Sequence, residues 1–71
     1  MTVAQQMDAL VAELPELARR FPDLGDFWRA VDAAMAPIFE AAATPAEQET
    51  LHVRYLDLMA EADVMGMVRE A

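Results

Sequence analysis

The chain has 71 residues, no cysteine, 13 acidic residues against five basic ones, and a formal net charge of −8. All five basic residues are arginines. This charge argues against direct binding of nucleic acid or of anionic membranes, because both require a cationic surface. Without cysteine there is neither a disulfide nor a thiolate metal site. Because 56% of the residues are hydrophobic, the composition also argues against intrinsic disorder.

So short a chain has one core at most, and a domain of this size buries only roughly 60% of the surface that its unfolded chain exposes. Small domains gain stability from disulfides, metals, partner chains or close helix packing. The first two lack the required residues or any strong motif, which leaves packing and partner chains. No apolar run is long enough to span a membrane and the N-terminus does not resemble a signal peptide. We therefore expect a cytoplasmic protein.

The first predicted helix covers about residues 3–21. Its apolar residues recur every three or four positions, the spacing of helices packed side by side. Thr2 suits the N-cap position, and Pro22 ends the helix because the preceding residue disfavours helical geometry. Pro15 allows two interpretations, a kinked helix or a stop near Glu13 followed by a restart, and we expect one kinked helix. The apolar positions are Val3, Met7, Leu10, Leu14, Leu17 and Phe21.

The second predicted helix covers about residues 26–42. Either Asp23 or Asp26 could cap its start. Pro37 falls on the polar side of the helix, where a proline bend curves the helix around the core without disrupting the packing. The apolar side consists of Trp28, Val31, Met35, Ile38 and Ala42, with Phe27, Ala34 and Phe39 beside them.

The third predicted helix has the clearest start signal. Thr44 and Glu47 have capping-box spacing, and Pro45 occupies the first helical position. The helix continues to about residue 65, where Gly66 could cap it, or to the C-terminus. Short connections favour antiparallel neighbours, and no strand pattern competes. The sequence therefore predicts an all-α single domain over residues 1–71, a small antiparallel three-helix bundle that we expect dimerisation to complete.

Apolar residues surround most of the third helix. They span an arc of roughly 240°, where a surface helix needs little more than 100°, and the remaining polar strip contains Thr50, Arg54, Asp57 and Glu61. Two companion helices cover part of such an arc, so we expect another chain to cover the rest. Two-fold dimers are the commonest assemblies. The candidate contact residues, which a simple core role would also explain, are Trp28, Leu51, Tyr55, Leu58, Met59, Met65 and Met67.

These patterns predict a non-enzymatic protein–protein interaction or oligomerisation module. Its expected partner is a second copy or another protein, bound through an apolar seam of the first and third helices with an acidic rim. No cofactor is expected. His52 is the only histidine, serine and cysteine are absent, and the two glycines cannot form a phosphate loop, so the nucleophiles and loops of common enzymes are missing.

Two alternative functions remain open. The many carboxylates could imitate the charge of nucleic acid and block a nucleic-acid-binding protein, as small phage-encoded inhibitors do. Glu49 and His52 form a Glu-x-x-His pair, which di-iron carboxylate bundles use to hold metal together with a Glu from another helix. A dimer would bring two copies of the pair together, which would make the chain a dimeric metal-binding bundle. Glu40, the nearest such carboxylate, is predicted to face away from that pair. No family motif is identified in the sequence.

Overall fold

Three α-helices and two short connections make up the fold. The structure is a computed structural model that describes residues 1–69. α1 spans Val3–Arg20, α2 spans Leu24–Ala41 and α3 spans Pro45–Val64, and the described residues contain no strand. The prediction of an all-α fold with three helices packed against each other is confirmed.

Capping boxes start α1 and α3. At α3, the Glu47 backbone N–H donates to the Thr44 hydroxyl over 3.2 Å, and the Thr44 backbone N–H donates to the Glu47 carboxylate over 3.3 Å. Thr2 and Gln5 make the same reciprocal pair at α1, with distances of 3.1 and 2.9 Å. Each box pairs backbone donors that a helix start otherwise leaves unsatisfied. These short-range contacts explain why the sequence predicted both starts well.

α2 begins two residues earlier than the predicted residue 26. Asp23 is the N-cap, and its carboxylate accepts a hydrogen bond from the Asp26 backbone N–H over 3.1 Å. Asp26 itself lies in the first turn, where the partial positive charge of the helix end favours an acidic side chain. The helix ends at Ala41, and the backbone N–H of Ala42 still donates to the Ile38 carbonyl over 3.1 Å.

Both internal prolines lie within continuous helices. α1 runs through Pro15 without a break, as expected, and α2 runs through Pro37. Both rings lie at exposed positions, so neither enters the core. α1 ends at Arg20, one residue before the predicted end, and the backbone N–H of Phe21 closes its last turn on the carbonyl of Leu17 over 2.8 Å.

The C-terminus of α3 has the hydrogen-bond pattern of a Schellman motif. The backbone N–H of Met67 donates to the Ala62 carbonyl over 2.8 Å, and that of Gly66 donates to the Asp63 carbonyl over 3.0 Å. Gly66 has a φ of 82°, a left-handed conformation that glycine adopts without steric cost. The helix therefore stops at Val64, so of the two predicted endings the one capped by Gly66 is observed.

α1 is the central element of the packing. It packs against both α2 and α3, while α2 and α3 make few direct backbone approaches. The guanidinium of Arg54 on α3 donates to the carboxylate of Asp8 on α1 over 3.1 Å, at matching levels of two helices that run parallel. The core of the described residues contains only apolar side chains, which are Val3, Met7, Leu10, Leu14, Phe27, Trp28, Val31, Met35, Ile38, Ala42, Leu51, Leu58 and Ala62.

Leu58 and Leu56 provide a matched test of this packing. Leu58 is 0% exposed, whereas Leu56, two residues away on the same helix, is 53% exposed. We expect Leu58→Ala to lower the free energy of unfolding by about 2–5 kcal/mol, because it leaves a cavity in the core. Leu56→Ala should change it by less than about 0.5 kcal/mol. Urea denaturation followed by far-ultraviolet circular dichroism measures both, and equal losses would contradict the packing of α3.

Candidate protein-binding surface

The inner side of α3 belongs to the core. Leu51, Leu58 and Ala62 are 3%, 0% and 0% exposed, and Trp28 on α2 is 6% exposed. Three of the predicted contact residues, Trp28, Leu51 and Leu58, therefore lie inside the folded chain, where a partner meets them only if the three helices separate. The apolar side of α1 is buried as well, so the expected interface seam of the first and third helices is internal.

The outer side of α3 presents a second row of apolar side chains, which we name the outer strip. It consists of Val53, Leu56, Ala60 and Val64, spaced by three and four residues and therefore aligned along one side of the helix. Val53, Leu56 and Val64 are 50%, 53% and 85% exposed. At 1.5 Å per residue the strip is about 17 Å long. It is the longest row of exposed large apolar side chains in the described residues.

Carboxylates border the outer strip along both of its edges. We name these four residues the acidic rim: Asp63 on one edge, Asp57 and Glu61 on the other, and Glu49 in line with the strip, one turn before Val53. All four are exposed, and none has an ion-pair partner in the described residues. Asp63 and His52 lie between Leu56 and the half-buried Met59 around α3, so the wide apolar arc inferred from the sequence is divided into a buried side and a separate exposed strip.

The arginines are engaged elsewhere. Arg54, the only arginine of α3, is bound to Asp8 of α1, and Arg69 is bound to Asp32 of α2. Arg19 and Arg29 pair with carboxylates three residues away on their own helices, and the guanidinium of Arg20 lies 5.7 Å from the centre of the Phe21 ring. No cation of the described residues forms an ion pair with the acidic rim; the Arg54 guanidinium, bound to Asp8, lines the same depression as Glu49, Val53 and Asp57.

The outer strip lies outside the contact surface that the sequence predicts. Leu51 and Leu58 are in the predicted surface because they continue the regular apolar spacing of α3. In the fold, the residues with that spacing face the other two helices. The available signal was the remaining apolar set, Val53, Leu56 and Ala60, which points away from the regular set and is therefore out of reach of both neighbouring helices.

The other four predicted contact residues, Tyr55, Met59, Met65 and Met67, are half-buried against the core. Met65 and Met67 lie where the chain reverses after α3 and crosses towards α2. The indole N–H of Trp28 donates to the backbone carbonyl of Met67 over 3.1 Å. This hydrogen bond holds the C-terminal segment against α2.

Arg69 closes the same region from outside. Its guanidinium donates two hydrogen bonds to the Asp32 carboxylate, over 2.8 and 2.7 Å, and one to the Tyr55 hydroxyl over 2.9 Å. It also lies 5.0 Å from the centre of the Trp28 ring, within the range of cation–π attraction. The hydrogen bonds to Asp32 raise the pKa of Arg69 above its ordinary value. The C-terminal segment thus joins α2 to α3 where the helices themselves approach little.

An open groove remains between α2 and α3 at the other end of these helices. It has a volume of about 340 Å³ and is lined by Phe39, Ala42, Gln48, Leu51, His52 and Tyr55. Phe39 is 58% exposed there. The groove adds a smaller apolar surface next to the outer strip, since His52 and Leu56 are one helical turn apart on α3.

The Glu49 and His52 pair lies in an exposed part of α3, where both side chains face solvent. No group of three or more potential metal-ligating His, Cys, Asp or Glu side chains occurs within residues 1–69. Glu40 is also exposed, on α2.

No protein-family model, curated protein or solved structure matches this chain. Among residues 1–69, no helix combines the length and the apolar composition needed to cross a membrane.

The contact between Arg69 and Trp28 can be tested by fluorescence, because Trp28 is the only tryptophan. Arg69→Gln removes the cation from the ring and the ion pair with Asp32, so the C-terminal segment should loosen. We expect a red-shifted emission and stronger quenching by acrylamide. Arg29→Gln is the matched control, since Arg29 is next to Trp28 in the sequence of α2 but pairs with Asp26. Identical spectra for the two variants would contradict the role of Arg69.

Proposed function

We propose that this chain is a non-enzymatic helical module that binds a protein partner through the outer strip of α3. The observation that carries the proposal is the exposure of Val53, Leu56 and Val64 on one side of a helix whose opposite side is fully packed. Single exposed apolar residues are common on protein surfaces. A row of them at helical spacing is the pattern by which helices dock against one another.

Covering the outer strip would contribute free energy comparable with the stability of the domain. Complete burial of a Val or Leu side chain contributes about 1.5–3 kcal/mol, and half of that remains available at a half-exposed position. A single core in so small a domain rarely supplies more than about 3–5 kcal/mol. Burial of Val53, Leu56 and Val64 by a partner would therefore matter both for binding and for the stability of the complex.

The acidic rim would set the choice of partner. Charged residues around an apolar contact act mainly on specificity and on the rate of association. Asp63 and Asp57, on opposite edges of the outer strip, would both face a docked chain. The partner is a second copy, as expected from the sequence, or a different protein. In both cases α3 and not α1 supplies the apolar contacts, because the apolar side of α1 is already buried.

The alternative of an acidic inhibitor that imitates nucleic acid rests on charge alone. The carboxylates are distributed over all three helices, and four of them pair with arginines of the same chain, namely Asp8, Glu16, Asp26 and Asp32. This alternative gives no role to the outer strip. We therefore favour the apolar docking surface, with the carboxylates as its border.

Site-specific photo-crosslinking tests the proposal. A benzophenone amino acid in place of Leu56 should form a covalent protein adduct on irradiation, either with the purified chain or in an extract of the native cell. The same amino acid in place of Ala12, an exposed position on α1, is the matched control and should give no specific adduct. The expected difference follows from the position of Leu56 in the middle of the outer strip.

A second pair of substitutions checks that the adduct depends on the strip. Val53→Gln with Val64→Gln should sharply reduce crosslinking from position 56 while leaving the helical circular dichroism signal unchanged, because both residues are at least half exposed. Should position 56 yield no more adduct than position 12 in both preparations, the proposed function would be wrong.

A further inference from the structure

Building on the proposed function, we infer that the partner of the outer strip is a cationic amphipathic helix, a segment with an apolar stripe bordered by Lys or Arg. Two observations lead to this class of partner. The strip is a narrow apolar row at helical spacing, and none of the carboxylates of the acidic rim forms an ion pair within residues 1–69.

The acidic rim makes self-pairing of α3 unfavourable. In a two-fold contact each copy presents the same surface, so Glu49, Asp57, Glu61 and Asp63 of one copy would oppose the same carboxylates of the other. Packed helices lie about 8–10 Å apart. This distance is close to the Debye length at physiological salt, about 8 Å, so the repulsion is only partly screened. Like charges held at this separation oppose association.

Other faces of a second copy do not supply the missing cations. Arg19 and Arg29 are exposed but each is paired with a carboxylate of its own helix, and Arg20, at the end of α1, lies against the ring of Phe21, away from the exposed apolar side chains. The remaining exposed large apolar side chains of the described residues are Met1, Phe39 and Val68, and none of these lies in a row on one helix. A second copy therefore offers no apolar stripe bordered by positive charge.

The shape of the outer strip fits a single helix. Its length of about 17 Å corresponds to three turns, which is long enough for a helix docked by residues at i, i+3, i+4 and i+7, a span of about 10 Å. Ala60, the smallest residue of the strip, lies between Leu56 and Val64. A larger apolar side chain of the partner would pack over it, ridge into groove. Basic residues on either side of that stripe would then meet the two edges of the acidic rim.

Three synthetic helical peptides of equal length test this partner class against the full chain by fluorescence anisotropy. The first has leucines at i, i+3, i+4 and i+7 bordered by lysines; the second has the same leucines bordered by glutamates; the third has the composition of the first in scrambled order. We expect the first peptide to bind at least about tenfold more tightly than the other two, which corresponds to a few surface charge pairs together with the apolar stripe.

Two pairs of variants locate the binding. Leu56→Gln should weaken the binding of the first peptide, whereas Ala12→Gln on α1 should leave that binding unchanged. Asp57→Asn with Asp63→Asn, one residue from each edge of the acidic rim, should weaken it about tenfold and reduce its salt dependence. Glu13→Gln with Glu40→Gln removes the same charge from exposed positions on α1 and α2 and should leave binding nearly unchanged. Equal effects of the two charge pairs would overturn the inference.

Light scattering of the chain alone separates the two proposals. We expect a 7.9 kDa monomer, and we expect neutralisation of all four carboxylates of the acidic rim to shift the chain towards a dimer by removing the repulsion.

A wild-type dimer that Leu56→Gln dissociates would support the proposed function and overturn the cationic-helix inference. Equal affinity for the first and scrambled peptides would overturn it too, in favour of recognition by charge alone. Crosslinking from position 56 without preference among the peptides would leave the proposed function standing and exclude this partner class.

Discussion

The burial of the apolar side of α1 between α2 and α3 is the contact on which the rest of the structure depends. Val3, Met7, Leu10 and Leu14 of α1 are buried, and α2 and α3 approach each other little except through side chains and the C-terminal segment. Because α1 contacts both other helices, its apolar residues determine which side of each of them faces inwards. The core is completely apolar within the described residues, so its stability comes from area removed from water and from close packing.

The position of α3 against α1 also explains its exposed surface. A helix packed against two neighbours is covered on little more than half of its circumference, and α3 has apolar residues on both its inner and outer sides. Leu51, Leu58 and Ala62 take the inner side, which leaves Leu56 and its row outside. The same orientation of α3 places the carboxylates of the acidic rim at the surface. The apolar strip and its negative border are therefore one consequence of the way in which the core is packed.

The C-terminal segment compensates for the weak approach of α2 to α3. Gly66 reverses the chain, so the Met67 carbonyl reaches the Trp28 indole and the Arg69 guanidinium reaches Asp32 and Tyr55. These contacts join the C-terminal segment to residues of α2 and α3 that are far away in the sequence. They cover Trp28 at the end of the bundle opposite to the groove lined by Phe39 and His52. One end of the space between α2 and α3 is thus filled by the chain itself, and the other end is open.

The sequence by itself determined the three helices, the capping boxes of α1 and α3 and the buried apolar row of α1, because capping boxes, proline positions and helical spacing act over a few residues. It placed Thr44 and Glu47 correctly and offered Gly66 as one of two possible ends of α3. Only the tertiary structure decided which of the two apolar rows of α3 packs inwards, since Leu58 and Leu56 are equally apolar and only the contact with α1 distinguishes them. It also decided the partners of Arg54 and Arg69, because pairing with Asp8 and Asp32 requires helices that only the completed fold brings together.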